Sequence, residues 1–497
     1  VRPGPGTADD ERIDPRLERV EMFAHELVVA VVNAGICAPS TAQARSQLRD
    51  AVLAFGAALA QGAPAPLRIE AHGHALRWDG RDLLGASLQA GRLVHRMHER
   101  GVRALVFEPT LDGEALGRFL GLLDDPRQAD AFRPGVLERV LRDQGIQGAT
   151  AELGAPAGGP APQSAVPGPD EDAILRYQEL ATVLQQSHVA ASRGHELEID
   201  LAQTVVERTV ARMGAAPSDL LALAVYDDVD RFTVGHSVRV ALIALEVARA
   251  AGASEHQLLL VGNAGLLHDI GKSRLPQEVL FKQGALDEDE WRAMAEHPRL
   301  GAQLLVEQDD VHPSAIGAAF CHHMAPAGGG YPDALVRFDP SGISRLIRIC
   351  DVFEALTAVR PYKRDLTPLE AMARMNRQAE QFDRRWLRFF FRTVGIYPIG
   401  TRLRLDGGES ALVVRHGSSC ERPVVRLLTD AAGRPLAEDR PELEIGVPVD
   451  GRTPRVAAVL RRRGGQEYED SSARAVAPIH HACLGPEPAG HDSRPHG

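Results

Sequence analysis

Apolar residues recur at helical spacing along most of this chain. Val20, Phe23, Leu27, Val31 and Ala34 fall on one stripe, and Ser40-Thr41 is placed to begin a second helix, because a side-chain oxygen there can accept from a free N–H of the first turn. Leu67 to Trp78 alternates instead and passes through Gly73, the pattern of a hairpin. Leu84 to Arg100 returns to helical texture, Val102 to Phe107 is a short β-rich run, and Asp112 to Leu123 is another amphipathic helix. Together they predict an α+β domain over 19–150, for which a regulatory or dimerisation role is an expectation and not a reading of the pattern, preceded by a polar, disordered segment 1–18.

Ala155 to Pro169 is built from Ala, Gly and Pro with little else. Such a stretch cannot supply a core, so 151–172 reads as a linker. Ala173 to Met213 holds a single Gly and no Pro, which predicts a lead-in helix over 173–215. In 216–395 the patterning is helical throughout: Val238, Leu242, Leu245 and Val247 share the apolar side of one segment, and Leu258 to Leu267 forms another. Beyond Tyr397-Pro398-Ile399-Gly400, the runs Arg402 to Leu405, Ala411 to Arg415 and Pro423 to Leu428 alternate with turn sequences. They predict a small β-rich region over 396–462, followed by a polar tail, 463–497, expected to be disordered. The expected fold class is mainly α: a helical bundle between a smaller α+β N-terminal domain and a small β-rich C-terminal appendage.

Composition narrows the function. A chain of 497 residues suits two to four domains, at roughly 100–200 residues each. The formal charge of −11 argues against a nucleic-acid polymer as partner, since neutralising many phosphates needs a basic face. The five cysteines, Cys37, Cys321, Cys350, Cys420 and Cys483, form no Cys-x-x-Cys pair, so neither a disulfide framework nor a thiolate metal site is expected. No apolar run approaches the ~18–20 residues of a membrane span, and no export signal is visible. The expectation is a cytoplasmic protein.

The chemistry lies in 216–395. His268-Asp269 joins an imidazole and a carboxylate in one place, and His236, His297, His322, His323 and Asp351 accompany it. A nitrogen and oxygen donor set without thiolate favours iron, manganese or a similar divalent ion. Seven donors exceed what one open octahedral ion can use, so two cations are expected. A carboxylate such as Asp269 can bridge two ions about 3.5–4 Å apart, a spacing suited to phosphoryl displacement.

These residues carry a family resemblance. Gly235-His236-Ser237-Val238-Arg239-Val240, Leu267-His268-Asp269-Ile270-Gly271-Lys272, Glu296-His297-Pro298, His322-His323 with Gly330-Tyr331-Pro332, and Asp351 to Thr357 followed by Arg360-Pro361-Tyr362-Lys363 resemble the HD-GYP subgroup of HD-domain phosphohydrolases. The resemblance implies a helical HD-GYP bundle that hydrolyses cyclic di-GMP to pGpG or GMP in bacterial second-messenger signalling. It implies metal ligation by His236, His268, Asp269, His297, His322, His323 and Asp351, with Asp269 bridging and Lys272 beside the scissile phosphate. Arg360 and Lys363 would contact phosphate or guanine, and Gly330, Tyr331 and Pro332 would shape the pocket. The substrate would be the principal partner, with a homodimer or a signalling protein as further ones.

The chain departs from the family pattern at Met324 and Ala327, where Glu and Asp are usual, and the region Phe232-Thr233-Val234 lacks the Glu of trinuclear members. The second departure favours two metals over three. The first leaves an alternative, a catalytically weak or silent HD-GYP scaffold that binds cyclic dinucleotide or a protein partner.

Overall fold

The computed structural model describes residues 15–34, 42–154, 171–213, 233–280, 282, 284–326, 328–333, 339–358, 366–419, 421–434, 436, 442–449, 451–463 and 466–470. The architecture is mainly α with two small antiparallel sheets.

In the N-terminal part, the helices Pro15–Ala34 and Ala42–Ala60 pack on each other and on a five-stranded sheet. Its spatial order is Arg81–Asp82, Ala75–Trp78, Leu67–His72, Val102–Phe107, Ala149–Leu153. The hairpin predicted around Gly73 forms with His72 opposite Ala75. Phe23, Phe55, Phe107 and Phe119 make a run of ring contacts through the core beneath the sheet. Leu84 to Arg100 divides into two helices, Leu84–Gln89 and Gly91–Glu99. The strand Ala149–Leu153 runs past residue 150, so the sheet takes in residues read as linker. The first helix likewise begins at Pro15, inside the segment read as loose.

Two further readings are corrected. The lead-in segment is not one helix but two, Glu171–Arg193 and Ile199–Ala211. Gly194 adopts φ +72° between them, a left-handed conformation that ends a helix at little steric cost. In the tail expected to be disordered, Gln466–Asp470 pairs antiparallel with Val456–Arg463. That strand joins a six-stranded sheet ordered Gln466–Asp470, Val456–Arg463, Arg402–Leu405, Ser410–Arg415, Val424–Leu427, Glu442–Glu444.

The central bundle is built around Thr233–Ala250, Glu255–Leu267, His297–Val306, Pro313–Cys321, Gly342–Thr357, Pro368–Arg377 and Arg384–Val394. Its ends are chemically specified. Ser254 and Gln257 form a capping box, as do Thr367 and Glu370, and Asp383 accepts from Arg385 and Trp386 N–H groups; each such cap stabilises by about 1 kcal/mol. Glu255–Leu267 carries buried residues on nearly every side, the signature of a helix in the middle of a bundle. It lies against Thr233–Ala250 and Pro313–Cys321, and Gly342–Thr357 crosses Thr233–Ala250. Leu242, Leu266, Ile270, Leu305, Ile347, Phe353 and Phe390 belong to the shared core. Four of these helices bring metal-ligand candidates at or beside an end, and Gly342–Thr357 brings Asp351 from its interior.

Candidate metal centre

Five segments deliver the site. His268 caps the C-terminus of Glu255–Leu267, Asp269 follows, and the 3-10 turn Ile270–Arg274 carries Lys272. His236 sits near the start of Thr233–Ala250, His297 opens His297–Val306, and His322 with His323 ends Pro313–Cys321. Asp351 lies in Gly342–Thr357, with Glu354 one turn on and therefore on the same face. All seven predicted ligands are brought together. His268, Asp269, His297, His322 and Asp351 are buried, while His236 and His323 are half-buried.

Gly271 makes this assembly possible. A Cβ there would lie 2.0 Å from the His297 carbonyl oxygen and 2.4 Å from the Gly301 nitrogen. Only a residue without a side chain lets the turn after Asp269 touch the helix that bears His297.

The imidazole tautomers follow from the hydrogen bonds. His268 Nδ1 is 2.8 Å from the Gly265 carbonyl, His297 Nδ1 is 2.8 Å from that of Met294, and His322 Nδ1 is 3.0 Å from those of Ala318 and Ala319. A carbonyl can only accept, so each Nδ1 carries the proton and each Nε2 presents a lone pair inward. Those lone pairs meet. His297 Nε2 faces His322 Nε2 at 3.2 Å, and the buried His268 Nε2 has no hydrogen-bond partner.

Asp269 divides the donors into two sets. Its Oδ1 lies 3.2 Å from His297 Nε2 and 3.6 Å from His322 Nε2. Its Oδ2 lies 3.5 Å from both His236 Nε2 and His268 Nε2, and 2.5 Å from Lys272 Nζ. Asp351 completes the arrangement, with Oδ1 3.2 Å from His236 Nε2 and Oδ2 3.6 Å from His323 Nδ1. Three groups of donor atoms, each within 4.8 Å of one another, result: His236 with His268 and Asp351, His297 with His322 and His323, and, joining the two, His268 with Asp269 and His322.

The protonation states suit cations. Burial pushes the imidazole of His268 down to about 3, lowers that of His297, and holds His323 well below the usual value. The Asp269 carboxyl stays well below the usual carboxylate range: burial opposes its charge, but Lys272 and the surrounding histidines outweigh it. His236 differs. Burial opposes its charge too, yet Glu354 and Asp351 raise it to about 10, so a cation at Nε2 would take the place of a proton. Converging lone pairs, an unpartnered buried nitrogen and a charged buried carboxylate make a donor set that fits divalent metal. Among the described residues no cysteine belongs to these donor groups, and burial raises the Cys321 thiol to about 11.

Several contributors went unassigned from sequence. Glu354 bonds His236 Nδ1 and accepts from Arg239 Nε at 2.8 Å, fixing a ring that no carbonyl holds. Each lies one turn from a ligand, Glu354 from Asp351 and Arg239 from His236, and that spacing was the available signal. His188, on Glu171–Arg193, arrives from outside the bundle. That helix packs against the Ile270–Arg274 turn, and His188 Nε2 is sealed from solvent without a partner. Burial pushes its imidazole down to about 4 while Asp269 and Lys272 act on it through space.

The pocket loop is pinned by Gly330, which has φ +85° and whose Cβ would meet the His323 carbonyl oxygen at 2.0 Å. Tyr331 then stacks against His323 at 4.4 Å between ring centroids, with planes 30° apart. Burial and the nearby Asp351 and Asp269 carboxylates push its phenol above the usual range. Pro332 follows, half-buried. Arg360, Lys363 and Ala327 lie outside the described residues.

Comparison with known proteins bears on the same region. The HD domain family model matches residues 221–386. A response regulator of Xanthomonas campestris pv. campestris, RpfG, named as a cyclic di-GMP phosphodiesterase, is 32% identical over 273 residues, covering 53% of this chain and 67% of its own. The chain belongs to the HD-domain family. Within that family, a protein of Pseudomonas aeruginosa named as a cyclic di-GMP phosphodiesterase is 33% identical over 245 residues, 49% of this chain. The match spans 59% of that relative's length. A Vibrio cholerae protein named as a 3'3'-cGAMP-specific phosphodiesterase is 37% identical over 144 residues, 29% of this chain and 31% of its own. No helix among the described residues is long and apolar enough to cross a membrane.

Proposed function

We propose that this HD-domain protein is a metal-dependent phosphodiesterase that hydrolyses cyclic di-GMP to pGpG or GMP. One observation carries the reading: inward lone pairs of buried histidines are arranged around both oxygens of a single buried carboxylate. On this reading His236, His268 and Asp351 hold one divalent cation, His297, His322 and His323 hold a second, and Asp269 bridges them. Iron or manganese suits imidazole and carboxylate donors. Bound there, the pair would supply activated water and charge neutralisation for an in-line phosphoryl displacement.

The chain's own residues do the rest. Carbonyls at Gly265, Met294, Ala318 and Ala319 lock three rings in the ligating tautomer before any metal arrives. Lys272, whose ammonium touches Asp269, would share its charge with a phosphodiester oxygen or donate a proton to the departing 3' oxygen. Gly330, Tyr331 and Pro332 wall the approach to His323. Arg360 and Lys363 remain substrate contacts on sequence grounds.

A second substrate has specific support in the relative named for 3'3'-cGAMP, whose identity to this chain is 37%. Metal-replete protein should therefore be offered cyclic di-GMP and 3',3'-cyclic GMP-AMP side by side. The expected outcome is linear product from cyclic di-GMP and none from Asp269→Ala. Turnover of cyclic GMP-AMP alone would reassign the substrate, and a protein that carries metal yet cleaves neither would leave only the silent scaffold.

A further inference from the structure

Trp291 stands out on the surface beside the metal centre. It is 52% exposed, whereas Trp78 is 3% exposed and Trp386 is half-buried. The other exposed large hydrophobics among the described residues, Met22, Leu53, Leu201, Val306 and Val449, carry no ring. An indole in that position fills no core, and a folding role alone does not call for it.

Its surroundings point inward to the site. The indole meets the Tyr331 ring edge-on, 5.7 Å between centroids with planes 75° apart. Tyr331 in turn stacks on His323 and approaches His297 at 6.1 Å. Aromatic surfaces thus run from solvent to two of the ligand histidines. The ledge is also held rigid. Asp287 and Glu290 form a capping box at the start of Glu288–Met294, and Glu290 is bonded by Lys282. An exposed, pre-positioned indole next to a phosphoester-cleaving centre matches a flat π system joined to a phosphodiester, which is what a nucleobase presents.

We infer that Trp291, backed by Tyr331, is the stacking platform for a purine base of the cyclic dinucleotide. The inference rests on the phosphodiesterase reading and adds to it a residue that sets affinity rather than chemistry. Removing base stacking weakens binding roughly 5- to 150-fold. Because the base keeps its contact from ground state to transition state, that loss belongs in KM with kcat retained.

The test uses full-length, metal-loaded wild type, Trp291→Leu and Trp291→Phe. KM and kcat for cyclic di-GMP are measured beside indole fluorescence during titration with cyclic di-GMP, and metal content is checked in each protein. Leucine keeps apolar bulk against Tyr331 without a π face, and phenylalanine restores one. The expected result is a KM raised by about tenfold or more in Trp291→Leu, within that range, and largely recovered in Trp291→Phe, with unchanged metal content. Wild-type indole emission should respond to cyclic di-GMP, and the response should vanish in both variants. A Trp291→Leu enzyme with wild-type KM would overturn the platform while leaving the phosphodiesterase standing. A loss of metal in both variants would make Trp291 a structural prop and also overturn it. Wild-type protein that neither binds nor cleaves cyclic di-GMP would take down both readings.

Discussion

Orientation at this site comes from groups that no motif names. Three histidines are aimed by main-chain carbonyls, and His236 is aimed by Glu354. The seven candidate ligands, which the fold brings together, were legible because imidazole and carboxylate residues stand at a recognisable order and spacing. The carbonyls were not, since any residue type supplies one, and Glu354 acquires its role only when Gly342–Thr357 packs across Thr233–Ala250. His188 was the least legible, because its helix lies far from the ligands in sequence. It also carries a pH consequence. Its imidazole is held at about 4 in the folded protein against an ordinary value near 6.5, so between those values the unfolded chain binds a proton that the folded chain refuses. Stability therefore falls as pH drops from 6.5 toward 4, and is unaffected by this group above 6.5. The residue is half-buried although Nε2 is sealed, which keeps the effect to at most about 2–3 kcal/mol. Denaturant titrations of metal-stripped protein at pH 4.5 and 7 should show His188→Leu losing less stability on acidification than wild type. Equal losses would mean that the ring is solvated or paired.

At the level of elements, the close approach of the turn after Asp269 to His297–Val306 is the most demanding contact in the bundle. Gly271→Ala would place a methyl group against backbone at two points, and backbone cannot rotate aside as a side chain can. The expected cost is about 1–3 kcal/mol, with His297 carried away from Asp269 Oδ1. Thermal melts should show the destabilisation and elemental analysis a lowered metal content. Wild-type metal content in a destabilised variant would show that the helix moves without its ligand. Other elements differ in how openly the sequence declares them. Helices with polar caps and apolar stripes, such as Glu255–Leu267 behind Ser254 and Pro368–Arg377 behind Thr367, are readable because capping is local chemistry. The strand Gln466–Asp470 is not, since Gln-Glu-Tyr-Glu-Asp has no apolar alternation and owes its form to backbone pairing with Val456–Arg463. Gly194 shows the reverse error, where one glycine outweighed a long helical pattern.

Across the whole molecule, Glu171–Arg193 touches both the N-terminal part and the metal turn. Gln178 Nε2 donates to the Ser87 carbonyl at 2.5 Å and the His74 carbonyl at 2.9 Å, and Leu88 joins the core cluster that contains Leu184 and Ile270. Farther along the same helix, His188 feels Asp269 and Lys272 through space. A cation that binds only the folded protein stabilises it by about 4 kcal/mol when its concentration is a thousand times the dissociation constant. If the helix transmits that stabilisation, the N-terminal sheet should register the metal although none of its residues is a ligand. Amide exchange in the strand Val102–Phe107 reads this directly. Stripping the metal should speed exchange there in wild type, and Gln178→Ala, by removing the buried link at a cost of about 1–3 kcal/mol, should blunt the response. Identical exchange with and without metal in wild type would make the two parts thermodynamically independent, and the helix a spacer rather than a coupling.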